Sequence, residues 1–164
     1  MKRLLAITII LLSIASCTFV NVSRTLNDVE SYIMERPDSA LAVLESIDRV
    51  DLNTARTKAH HALLHAMALD KNFIDVSDDS IAQVAVDYFS KHGPQKYHAR
   101  SLYYLGLAYY YQKDYNKAII EFTRAEEVAE GCDSLYLSLI LTSEADAYSR
   151  NFSHVEELNS LRRA

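Results

Sequence analysis

The sequence predicts an all-α fold of about four antiparallel helix pairs, and three observations carry that expectation. Only 3 glycines and 2 prolines occur in 164 residues, too few turn residues for a many-stranded sheet. Apolar side chains recur at three- and four-residue intervals over long stretches, the period of a helix face. The breaks that do occur, at Arg36-Pro37, His92-Gly93-Pro94 and Gly131, cut the chain into helix-sized pieces.

The first pair is expected over Ser23–Glu35 and Asp38–Ile47. Pro37 suits a first helical turn, where its missing N–H costs little, and Leu41, Leu44 and Ile47 keep helical spacing. The second pair begins near Asn53, taken as the N-cap, runs to Leu69, and resumes over Ser80–Lys91 after the polar connector DKNFIDVSDDS. Ser77, Asp78 and Asp79 supply capping oxygens and favourable charge to that second helix. Gly93 suits the left-handed residue after a helix and Pro94 cannot continue one. The third pair spans Gln95–Gln112 and Tyr115–Glu130, stopped by Gly131. The fourth is expected over Asp133–Ser149 and Phe152–Arg162.

The N-terminus stands apart. Lys2 and Arg3 precede an apolar run, Leu4 to Ile14, of eleven residues. That is short of the roughly 20 residues a membrane span needs and has the layout of a secretory signal. Ile14-Ala15-Ser16-Cys17 resembles the lipobox of bacterial lipoproteins. The resemblance implies cleavage before Cys17, a diacylglycerol on its thiol and usually an acylated new N-terminus, a multi-chain anchor stable in a bilayer. The expected organisation is therefore 1–16 signal peptide, 17–22 lipidated cysteine and short linker, and 23–164 helical domain. Losing Lys2 and Arg3 takes the formal charge from −5 to −7, so lipid rather than a basic surface would hold the protein at a membrane. The acidic balance argues against nucleic acid, which selects a basic face. With Cys17 lipidated, Cys132 has no partner for an intramolecular disulfide and reads as a packing or turn residue.

YYLGLAYYYQKDY, residues 103–115, holds six of the eleven tyrosines. With Gly106 at the eighth place of a 34-residue unit, Leu102, Leu105, Tyr109, Tyr115, Ala118, Phe122 and Ala125 fall at the other packing places of a tetratricopeptide repeat. Small residues let the two helices approach, and large ones fill the gaps between them. Residues 99–132 thus resemble one tetratricopeptide repeat, with Leu in place of Trp at 102 and Glu130 in place of a proline. Leu139, Thr142, Ser143, Ala145, Phe152 and Val155 echo the same unit at an offset of 37. More widely, residues 26–130 resemble the exported N-terminal region of bacterial tetratricopeptide lipoproteins and sensor-like proteins.

That resemblance implies a right-handed α-solenoid, without a cofactor, that recognises a protein or peptide partner along its concave face. The face is carried over onto Arg100, Tyr103, Leu107, Tyr110 and Tyr111. Residues 100, 103, 107 and 110 share one helix side on spacing alone, either as groove or packed against a neighbouring helix. A guanidinium beside aromatic rings suits a peptide carboxylate and apolar anchors. The expected role is a lipid-anchored, non-enzymatic interaction scaffold in the bacterial envelope, at the outer membrane rather than the inner. The alternatives are a sensory input domain and a glycan-capture lipoprotein. The chain departs from the longer sensor-like members, which continue into a membrane helix. The last segment, NFSHVEELNSLRRA, reads as an uncapped repeat edge, open to a partner or a homodimer.

No nucleophile elbow or phosphate loop occurs. His61 and His65, four apart, have a chelating spacing but no third ligand in an HExxH pattern, and read as packing or surface residues. Asp75, Ser77 and Asp79 alternate like a calcium loop without its glycine. No metal site is expected.

Overall fold

The computed structural model describes residues 22–161, with side chains as far as Phe152. Among these residues there are seven helices and no strand: α1 Val22–Tyr32, α2 Pro37–Glu45, α3 Ala55–Lys71, α4 Asp79–Phe89, α5 Gln95–Tyr111, α6 Tyr115–Ala129 and α7 Ser134–Leu161. The signal segment and Cys17 lie outside the described residues.

Each helix packs on the next. The odd-numbered helices also touch one another in a row, α1 on α3, α3 on α5 and α5 on α7, whereas the even-numbered ones reach only their odd neighbours. One row that closes up and another that splays apart is the arrangement of a curved solenoid, with the odd helices on the inner side. The fold is an all-α, tetratricopeptide-like solenoid.

Local sequence explains the boundaries. Pro37 opens α2. Thr54, rather than the expected Asn53, caps α3, because its hydroxyl accepts from the Thr57 amide at 3.1 Å while the Thr54 amide donates back to Thr57 Oγ1 at 3.2 Å. This is a capping box with threonine in the reciprocal place. Asp78 caps α4 through the Ser80 amide, and Asp114 caps α6 through the Lys117 amide. Gly93 and Gly131 take positive φ, 87° and 76°, as their places after helices require.

The expected fourth pair is instead the single helix α7. The offset of 37 maps the α5–α6 turn onto Ser149–Asn151, where the break between the two expected helices falls. Lys113 makes that turn with φ 64°, but its counterpart, Arg150, stays helical and donates from Nε to Asp146, four residues back, at 2.9 Å. No glycine or proline interrupts the stretch, so nothing opposes helix propagation there.

The core runs continuously through the stack, and α5 is its centre: every residue from Ser101 to Ala108 is buried. Gly106 is where α5 and α6 come closest. A Cβ there would sit 2.5 Å from the Phe122 ring. Leu102, Leu105, Ala118, Phe122 and Ala125 are buried around this contact, and Tyr109 and Tyr115 are half-buried at its edge.

Candidate functional site

The inner helices place the five expected groove residues on two different levels. Tyr103 and Leu107 are only 5% and 6% exposed. Tyr103 packs edge-on against Tyr104 and Tyr136, and burial pushes its phenol up to about 12. The inner row is too tight at this height to leave an open surface, because Tyr104 and Tyr136 fill the α5–α7 gap and hydrogen-bond each other at 3.0 Å. Of the two readings that spacing left open for Tyr103 and Leu107, the structure takes the packed one.

Arg100 meets a carboxylate, but one from its own chain. Its Nε donates to Asp133 Oδ2 at 2.7 Å, and its guanidinium lies 4.6 Å over the Tyr136 ring. Asp133 is also the residue ahead of α7, accepting from the Tyr136 amide at 3.4 Å. The same Arg100 reaches Glu30 at 3.9 Å. Glu30 in turn accepts from His60 Nε2 at 3.2 Å and from the Tyr97 hydroxyl at 2.6 Å, with Lys96 at 4.0 Å. The His60 hydrogen bond outweighs the opposing effect of burial and, with Tyr97 and Lys96, holds the Glu30 carboxyl down at about 2. Burial and this carboxylate together raise Tyr97 to about 12. One polar chain thus links all four inner helices. Sequence reasoning missed it because its members lie up to 103 positions apart, Glu30 to Asp133, and no local pattern pairs them.

Tyr110 and Tyr111 remain partly exposed near the C-terminal end of α5. Their rings pack edge to face at 5.7 Å, and Tyr110 meets Tyr115 in the same way at 5.5 Å. The Tyr110 hydroxyl donates to Asp146, and Arg150 lies 5.3 Å over its ring. Partial burial and the Asp146 bond raise the Tyr110 phenol to about 12. Tyr111 lines a cleft of about 350 Å³ together with Asp70, Lys71, Phe73 and Asp75. Phe73 is 96% exposed with φ 58°. The backbone turns there through Phe73 N–H to the Asp70 carbonyl and Ile74 N–H to the Leu69 carbonyl. Tyr111 and Phe73 therefore form an open aromatic face at one end of the inner row, bordered by the Asp70–Lys71 ion pair at 3.1 Å and by Asp75. The connector DKNFIDVSDDS carried the signal for it, an apolar pair amid polar residues.

The other candidates have local partners. His61 Nε2 donates to the Leu44 carbonyl at 3.0 Å and its ring stacks on His65 at 5.7 Å. Among the described residues no group of three or more potential ligands is placed to hold a metal. Cys132 is exposed, its thiol donating to the Val128 carbonyl.

Residues 99–132 match the family model of the tetratricopeptide repeat, the span that contains the Gly106–Phe122 contact. No curated protein and no solved structure matches the chain. The matched repeat class generally serves protein–protein interaction rather than catalysis, and among the expected groove residues Tyr110 and Tyr111 remain partly exposed at the C-terminal end of α5.

Proposed function

We propose that this chain is a non-enzymatic interaction scaffold, held at a bacterial envelope membrane through a lipid on Cys17, that captures a protein segment at the Tyr110–Tyr111 end of its inner helix row. The observation that carries the recognition reading is Phe73. A phenylalanine 96% exposed beside a cleft lined by Tyr111 is the kind of aromatic anchor that drives interfaces once covered. Lys71 answers Asp70 at 3.1 Å, which leaves Asp75 in the same cleft to favour a partner segment with a cationic side chain next to its apolar anchor. The anchoring reading rests on the lipobox-like residues 14–17 and on the −7 charge of the cleaved chain, derived from −5 by loss of Lys2 and Arg3. No helix among the described residues is long and apolar enough to cross a membrane.

Fractionation tests the anchor: the wild-type chain is expected in the membrane pellet with incorporated lipid label, and Cys17→Ser in the soluble fraction without it. A Cys17→Ser chain that stays in the pellet contradicts a lipid anchor. Pull-down from solubilised envelope tests recognition. A Phe73→Ala, Tyr111→Ala double variant that is folded and still recovers the wild-type partners places the face elsewhere.

A further inference from the structure

At the opposite end of the inner helices, two adjoining cavities of about 160 and about 150 Å³ open where α1, α3 and the α4–α5 turn meet. Asn27, Arg56 and His60 line both. The outer one is walled by Tyr88, Phe89, Pro94 and Tyr97. Along α3, Arg56 and Asp70 are fourteen residues apart, about 21 Å at 1.5 Å per residue, so this site is separate from the Tyr111 cleft.

The walls are held in place. His60 and Tyr97 stack at 5.4 Å, and both donate to Glu30. Phe89 packs edge-on against Tyr97 at 5.1 Å, and Tyr88 is braced by stacking on His92 at 4.9 Å. Gly93 holds a left-handed turn with Phe89 so close that a Cβ would lie 3.3 Å from its ring. A cavity whose rings are fixed before binding costs little ordering when a ligand enters.

Charge selects the ligand. Lys96 and Arg100 are answered by Glu30 and Asp133, two cations against two anions. Arg56 has no hydrogen bond or ion pair among the described residues, and its charge is felt by the Tyr97 phenol. Its guanidinium fork offers paired N–H donors for a planar oxyanion, and the Asn27 side chain adds an amide. Fixed rings beside an uncompensated arginine suit a ligand with an apolar ring at one end and a carboxylate at the other.

We propose that this cavity binds a small aromatic carboxylate, its carboxylate on Arg56 and Asn27 and its ring against Tyr88, Phe89, Pro94 and Tyr97. The experiment is a calorimetric titration of the full chain with N-acetyl-L-phenylalanine and, separately, with N-acetyl-L-phenylalaninamide, which keeps the ring and lacks the carboxylate. The acid is expected to bind at least tenfold more tightly than the amide. Arg56→Gln brings the acid down to the affinity of the amide, Tyr88→Ala weakens both, and Tyr111→Ala leaves both unchanged. Arg56 is an exposed residue of the first turn of α3, and circular dichroism confirms that its variant is folded. No heat from either compound, equal binding of acid and amide, or acid binding indifferent to Arg56→Gln overturns the proposal. None of these outcomes depends on the Tyr111 face or on the anchor.

Discussion

Gly106→Ala is a change that normally stabilises a helix, and here it is expected to do the reverse. Alanine is favoured over glycine in a helix interior by about 1 kcal/mol. In this chain the added methyl would lie 2.5 Å from Phe122 Cε1 and 2.6 Å from Cδ1, where carbon atoms prefer about 3.5–4.0 Å. The ring would have to retreat by about 1 Å. Phe122 is fully buried, with the Tyr103 ring 5.9 Å away, so the retreat pushes on packed neighbours. Overpacking of this kind costs about 1–3 kcal/mol, and the helix gain offsets part of it. The net expectation is a loss of up to about 2 kcal/mol. Urea unfolding of the full chain, followed by circular dichroism, should show a lower midpoint at an unchanged slope. Phe122→Leu makes the test specific: in the Gly106→Ala background it should cost at least about 1 kcal/mol less than in the wild type, a coupling expected of residues in direct contact. A Gly106→Ala chain with a raised midpoint, or strict additivity with Phe122→Leu, would refute the close approach of α5 and α6.

Further outcomes follow from the polar chain and the caps. Glu30 has its carboxyl held near 2 against an ordinary 4.5, so its contribution is fully present above about 4.5 and is lost as pH falls through about 2. The stability gap between wild type and Glu30→Gln should therefore be wide at pH 7 and close towards pH 2; a gap that does not change with pH contradicts the role of Glu30. Asp133→Ala removes the partner of Arg100 and a hydrogen bond at the start of α7. It should cost about 2–3 kcal/mol, below the roughly 3–5 of a fully buried pair because Arg100 keeps 18% side-chain exposure; urea midpoints decide it. Thr54→Ala should cost about 0.5–2 kcal/mol with extra amide exchange confined to the first turn of α3, and unchanged exchange there would contradict the capping box.

The fold was legible because its rules are local. Pro37, Asp78, Gly93 and Gly131 each act within a few residues, and Leu105-Gly106 with Phe122 falls within one repeat. The break expected between Ser149 and Phe152 does not form for the same reason in reverse: no local residue there ends a helix. The site was less legible. Spacing puts Arg100, Tyr103, Leu107 and Tyr110 on one side of α5, and they do share it, but spacing cannot say how closely the next helix approaches. Tyr136, far along the chain, closes the surface over Tyr103. Spacing offers Arg100 to the carboxylate of a partner, whereas in the fold Asp133 of the same chain takes that place. Phe73 escapes periodicity because the adjacent pair Phe73-Ile74 in a polar connector marks no helix or strand face.

The claim at the centre of this account is that the open end of the inner helix row recognises a protein. A photoreactive side chain placed at Tyr111 in the full chain, illuminated in intact cells, addresses it most directly. The same group at Ile120, 56% exposed on the outer helix α6, serves as the reference position. The account predicts a discrete heavier adduct from position 111 that disappears with Phe73→Ala and is absent from position 120. Adducts of equal yield from both positions, or none from position 111 in a folded, normally abundant chain, would contradict it.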